Sequence, residues 1–232
     1  MTSTANASEP PSDQEARRAD FLAYYDAEAA DRARRPVPPW RVAAQQEFLA
    51  RLAEERSGTV LEVGCGPGRD GEAISAAGLA YTGVDLSPGM VEVARAAGLD
   101  AHVASATELP FEDHAFDAVW SMSTLMHLDD AELEAALSEI VRVLVPGGLF
   151  AVGMWGAAEL TVGTLAGPAA EPAAGPGKDY GPPRYFHRRT DTMVRERLGE
   201  HGEIESWWTR PSSPGSSHRY QYAVVRTPGP AG

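Results

Sequence analysis

Three alternating glycines, Gly64, Gly66 and Gly68, follow the apolar run "TVLEV" (59–63) and precede a helix start. Glycines at this spacing let a backbone turn sharply and bring its N–H groups close to a ligand at the end of a strand. Asp85 closes the next apolar run, "YTGVD" (81–85). A carboxylate there can accept hydrogen bonds from both hydroxyls of a ribose. Together the two features describe a nucleoside site without saying which nucleoside. The plain alternative is a tight strand-to-helix turn with a surface aspartate. The spacing is G-x-G-x-G, with Pro67 before the third glycine, whereas dinucleotide folds favour G-x-G-x-x-G.

Elements of alternating type must hold these residues in place. The chain predicts an amphipathic helix between Gln14 and Arg35, broken by "RRPVPPW", and a second helix over about 41–56. Strands are expected at 59–63, 81–85, 101–104, 116–122 and 149–155. Helices are expected at 70–77, 87–98 and 129–144, the second with Ser87 as its cap. This order implies an α/β fold with a parallel sheet and helices on both faces. Residues 156–183 are rich in Ala, Gly and Pro and too long for a simple connector, so they read as a disordered insertion or a lid. A short helix (190–200) and an antiparallel hairpin (203–209, 219–226) follow. The expected organisation is a disordered tail (1–13), one domain (14–227) with two N-terminal cap helices (14–56), and a short tail (228–232).

The 232 residues carry a net charge of −13. An acidic surface repels phosphate backbones, so nucleic acid is a poor partner. Of the 33 acidic residues, 27 precede Lys178, with only 11 of the 20 basic ones, so the C-terminal stretch is net basic. That end could face an anionic substrate; a solvated surface is the simpler reading. One cysteine, Cys65, excludes an internal disulfide and a cysteine-based metal cluster, and no metal site is expected. No apolar run is long enough for a membrane span, and the N-terminus lacks the apolar core of a secretory signal. A cytoplasmic protein, monomer or homodimer, is the expectation.

Three further stretches separate the candidates: "ELPFEDHAFDAVW" (108–120), "LMHLDD" (125–130) and "LVPGGLF" (144–150). With "LEVGCGPG" and "GVDLS", this set resembles the class I S-adenosylmethionine-dependent methyltransferases, over about Leu61 to Trp155. Past the insertion, "RYFHRRTDTMVRERLGEHG" resembles the segment after strand five in bacterial small-molecule members. The resemblance implies a Rossmann-like seven-stranded sheet of order 3-2-1-4-5-7-6, strand seven antiparallel. It also implies S-adenosyl-L-methionine as cofactor and a small-molecule methyl acceptor.

Carried over residue by residue, Glu62, Gly64, Cys65, Gly66 and Gly68 would form the floor under the methionine part of the cofactor. Asp85 would hold the ribose, and Leu86, with Met90 nearby, would pack on the adenine. Ser105, Ala106 and Thr107 would lie over the adenine edge; many members have aspartate where Ser105 stands. Ser121 and Met122 would lie beside the sulfonium. His127, just after strand four, is the candidate general base, since an ordinary pKa of about 6.5 suits proton removal near neutrality. Its plain alternative is a helix cap or packing under the lid. Tyr24, with Tyr25 beside it, sits on a helix that often folds over the cofactor in this family. Tyr24 could bond the cofactor carboxylate or the acceptor. Arg184, Tyr185, Phe186 and His187 could line an acceptor pocket.

The leading expectation is methyl transfer to an oxygen or nitrogen of a small molecule by in-line displacement. RNA nucleoside methylation is the alternative suggested by "LMHL", against the acidic charge. A non-catalytic cofactor-binding protein is a third. The glycine spacing and the "PGG" entry to the next strand disfavour a nicotinamide dehydrogenase.

Overall fold

The computed structural model describes residues 13–165 and 182–230. All but the last residue of the expected tail (1–13), the middle of the insertion (166–181) and the last two residues lie outside the described residues. Two helices, α1 (Asp13–Arg34) and α2 (Pro39–Glu55), precede the sheet. Pro39 takes the first turn of α2, where its missing N–H costs nothing.

The sheet then builds through β1 (Thr59–Val63), α3 (Arg69–Ala76), β2 (Ala80–Asp85), α4 (Pro88–Ala96), β3 (Ala101–Val103), β4 (Phe116–Met122), α5 (Asp130–Val143) and β5 (Leu144–Ala157). A hairpin of β6 (Thr161–Leu165) and β7 (Arg184–Arg188) intervenes before α6 (Asp191–Gly199), β8 (Glu203–Pro211) and β9 (His218–Arg226). The seven-stranded sheet has order β3-β2-β1-β4-β5-β9-β8. With the hairpin strands set aside, this is the expected order. Neighbours from β3 to β5 pair parallel, and β9 runs antiparallel to β5 and β8.

Both faces of the central strands are buried, as parallel sheets require. Leu61, Val63, Val119, Phe150 and Val152 pack against α5 and α6 on one face. Val60, Ala118, Trp120 and Ala151 pack against Phe48 and Leu52 of α2 and Ile74 of α3 on the other. Adjacent strand residues point to opposite faces, so Trp207 joins the first cluster and Trp208 the second. Ser87, Asp129 and Thr190 each stand just outside a helix and accept its third N–H. Asp129 and Glu132 complete a reciprocal capping box.

The ends of the expected insertion are strand. β5 continues to Ala157, and Thr161–Leu165 pairs antiparallel with Arg184–Arg188. The β-branched Thr161, Val162 and Thr164 are the local hint of strand in "TVGTL". β7 packs against α1 and against the 3-10 turn Leu125–His127 that follows β4. The insertion therefore brings its flanks to the C-terminal edge of the sheet.

Candidate active site

The glycine loop leaves β1 with Gly64 at φ 78°. The N–H groups of Gly64 and Cys65 both donate to the Val84 carbonyl, at 2.8 and 2.9 Å. A Cβ on Gly64 would lie 1.9 Å from Thr124 Oγ1, so this glycine is demanded by packing. Gly66, at φ 54°, is different: a Cβ there would meet nothing within 4 Å. It faces open space. Its N–H donates to Asp85 Oδ2 at 2.8 Å, and Ser87 N–H donates to Asp85 Oδ1 at 2.9 Å. Asp85 thus fastens the loop to β2 while each oxygen keeps a lone pair for a ligand. Burial raises its carboxyl pKa, and the backbone N–H bonds oppose that rise.

A cleft of about 620 Å³ opens over this loop. Gly64, Cys65, Gly66, Asp85, Leu86 and Met90 line it. Ser105, Ala106, Thr107, Met122 and His127 line it as well. Of Arg184, Tyr185, Phe186 and His187 only Tyr185 lines it, and four of the residues expected at the cofactor or in catalysis stand behind the wall. Glu62 is buried beneath the loop, where its carboxylate accepts Tyr81 O–H at 2.7 Å. Burial and the nearby Asp70 hold its pKa well above the usual range. Gly68 caps α3 against Leu99. Ser121 Oγ donates to the Val63 carbonyl at 2.9 Å and ties β4 to β1. Tyr24 is buried with its ring 4.0 Å from the Arg184 guanidinium, and its neighbour Tyr25 reaches the cleft instead.

Tyr25 and His127 form one end of the cleft. His127 Nδ1 lies 2.7 Å from the Tyr185 carbonyl oxygen, which can only accept, so Nδ1 carries the hydrogen. Nε2 therefore accepts, and Tyr25 O–H donates to it at 2.9 Å. Phe21 and Phe186 flank the imidazole at 5.1 and 4.6 Å between centroids. Burial pushes the His127 pKa down to about 3; the Tyr185 carbonyl bond opposes that shift, and the positive charges of Arg184, Arg32 and Arg188 add to it. Burial raises the Tyr25 phenol, with Arg32 and Arg184 acting against the rise.

Helix α1 holds Tyr25 there through contacts from its middle and from its first turn. Asp26 Oδ1 accepts from Ser87 Oγ at 2.5 Å and from Gly89 N–H at 2.9 Å, at the N-terminus of α4. Gln14 Nε2 donates to Glu132 Oε1 at 2.9 Å, at the start of α5.

The cleft is cationic in a way the motifs did not signal. Arg32, Arg41 and Arg69 line it. Arg41 donates to Asp70 Oδ2 through Nε at 2.8 Å and Nη2 at 2.5 Å, and Trp120 Nε1 donates to the same oxygen at 2.7 Å. Arg69 Nη1 donates to the Arg35 carbonyl at 2.8 Å. Arg32 Nε, Arg184 Nε and Nη2, and Arg188 Nη2 are buried without a hydrogen-bond partner. Arginines on three separate helices and a hairpin have no local spacing that groups them. Among the described residues no His/Cys/Asp/Glu cluster could hold a metal ion, and no helix is long and apolar enough to cross a membrane.

Residues 61–152 match the family described as "Methyltransferase domain". The chain is 35% identical over 116 residues to O-methyltransferase resE of Aspergillus sclerotiorum, covering 46% of this chain and 43% of that protein. It is 40% identical over 115 residues to demethylmenaquinone methyltransferase of Clavibacter sepedonicus, covering 47% and 44%. The chain thus spans less than half the length of either relative. A crystal structure of Burkholderia thailandensis 1,6-didemethyltoxoflavin-N1-methyltransferase, with bound 1,6-didemethyltoxoflavin and S-adenosylhomocysteine, shares the fold. The TM-score is 0.67 at 19% identity, over 96% of this chain and 93% of that one.

Proposed function

Residues 61–152 form a class I, S-adenosylmethionine-dependent methyltransferase domain, and on that premise we propose that the protein methylates an oxygen or nitrogen of a small molecule. The observation that carries the reading is Gly66: its missing side chain leaves open the space above a loop whose Gly66 N–H is tied to Asp85. A cradle that a Cβ would fill, beside a carboxylate with spare lone pairs, fits a ribose-bearing cofactor.

Asp85 would hold the ribose hydroxyls, with Leu86 and Met90 against the base and Ser105, Ala106 and Thr107 at its edge. Arg41, fixed by Asp70, and Arg69 stand beside the glycine loop and would pair with the cofactor carboxylate. When bound, the cofactor supplies a methyl group on a positively charged sulfur, open to in-line attack by an acceptor lone pair. What the chain contributes is placement. Alignment of two reactants can account for roughly 7–11 kcal/mol of a barrier. Phe21, Tyr25 and Tyr185 wall the cleft on the side away from the glycine loop and would exclude water there.

Two measurements test this. Titration calorimetry with S-adenosylhomocysteine should show binding that Asp85→Ala weakens roughly 100-fold. Labelled S-adenosylmethionine with extract of the source cells should give a labelled small molecule. Unchanged affinity in Asp85→Ala would overturn the assignment of the cleft.

A further inference from the structure

We propose that the acceptor is a small aromatic or conjugated oxyanion, already ionised at neutral pH, and that the protein methylates it without a general base. The inference rests on the methyltransferase reading above and narrows its acceptor.

The first support is the direction of one hydrogen-bond chain. Tyr25 O–H points to His127 Nε2, and His127 Nδ1–H points to the Tyr185 carbonyl. The imidazole lone pair is therefore already used. Groups facing it from α1 and β7 are Tyr25, Arg32, Arg184 and Arg188, and the three cations all oppose a positive charge on the ring. A His127 pKa near 3 leaves it a weak base at neutrality.

The carboxylates lining the cleft are committed too. Asp70 holds Arg41 and Trp120, and Asp85 holds Gly66 and Ser87. Glu132 accepts from Asp129 N–H and from Gln14, and Glu15 is engaged as well. Burial raises the Cys65 thiol above its ordinary range. A nucleophile that still carried a tightly held proton would find no group here to take it.

The second support is an excess of positive charge with donors to spare. Arg184 and Arg188 are 3% and 4% exposed, and each keeps at least one buried N–H without a partner. Neither forms an ion pair among the described residues. Arg32 lines the cleft, stands 4.7 Å from the Tyr25 ring centroid, and has an unpartnered Nε. Buried guanidinium groups without counterions are costly, and an anion beside them would offset that cost. Arg41 and Arg69 beside the loop would serve one carboxylate; Arg32, whose charge also draws on Asp85, keeps an unpartnered Nε for a second anion. Phe21, Tyr25 and Tyr185 around that point favour a flat, conjugated acceptor.

The electron balance closes without a proton. The acceptor oxygen's lone pair forms the O–CH3 bond as the S–CH3 bond breaks. The negative charge of the acceptor and the positive charge of the sulfonium disappear together.

The test has a binding arm and a turnover arm, both with the full chain. With S-adenosylhomocysteine saturating, ligand-detected NMR compares benzoate with benzamide, its neutral and planar counterpart in shape. Benzoate should bind at least about tenfold more tightly, and Arg32→Gln should bring the two close together. Equal affinities, or no binding of benzoate, overturn the inference. In the turnover arm, cell extract is split by anion exchange at neutral pH before labelling. The labelled product should come from the retained fraction as an ether or ester; a product from the unretained fraction overturns the inference. Failure of S-adenosylhomocysteine to bind at all would instead sink the methyltransferase reading, so the two failures are distinguishable.

Discussion

The two halves of the cleft are made differently. Over the glycine loop the walls are largely backbone: the N–H groups of Gly64, Cys65 and Gly66 are spent on Val84 and Asp85 of the adjacent strand. At the other end the walls are side chains from α1, the 3-10 turn and β7, joined as Tyr25, His127 and the Tyr185 carbonyl. A backbone-built half needs only glycines and strand order, so it can be shared by proteins with unrelated acceptors. A half made of side chains from three separate segments can change its chemistry without disturbing the sheet. This division lets one fold keep its cofactor and exchange its substrates.

The largest expected effects break the backbone half. Gly64→Val would drive a Cβ into Thr124 at a left-handed φ, costing about 3 kcal/mol or more from overlap and strain together. Thermal melting should show a sharply lowered Tm. Gly66→Val meets no atom, so it should fold with a loss of about 1–2 kcal/mol while S-adenosylhomocysteine affinity falls at least about 100-fold in calorimetry. If the two variants behaved alike, the distinction between a packing glycine and a ligand-facing one would collapse. Asp85→Ala should cost about 3 kcal/mol of cofactor affinity, roughly 100-fold, from lost charge-assisted hydrogen bonds.

Smaller effects sharpen the contrast from the side-chain half. Tyr25→Phe should leave S-adenosylhomocysteine affinity within about threefold and lower turnover of the extract acceptor roughly tenfold, because one neutral hydrogen bond is lost. A larger loss in cofactor binding than in turnover would place Tyr25 on the wrong side of the comparison. The remaining effect is confined to acid and shows in stability. The folded His127 pKa of about 3 lies below the unfolded value of about 6.5. As pH drops through that window the unfolded chain gains a proton that the folded chain refuses, so stability declines. His127→Gln should flatten that slope in Tm against pH; an unchanged slope would mean other groups set it.

Much of the sheet was legible because each element is announced locally. Apolar runs of strand length, Ser87 and Asp129 as caps, and the order of elements leave few topologies open. The flank at 161–165 was not legible, because a lone five-residue run inside an Ala, Gly and Pro mixture becomes a strand only when Arg184–Arg188 lies beside it. The choice between Tyr24 and Tyr25 illustrates the same limit. Successive helix residues point about 100° apart, so either can face the cleft until the rotation of α1 is known. That rotation is set by Asp26 on the N-terminus of α4.

By itself the sequence determined the strand-to-helix glycine loop, its acidic partner Asp85 and the succession of strands and helices. In these, a residue's neighbours along the chain, or along the next strand, are also its neighbours in space. Only the tertiary structure decided that Tyr25 meets His127, that His127 is held as an acceptor with its lone pair spent, and that Arg32 and Arg184 stand beside them with guanidinium N–H groups that have no hydrogen-bond partner among the described residues. Those facts depend on side chains brought together from α1, the turn after β4 and β7. Burial and charge there are properties of the packed assembly, which no local spacing encodes.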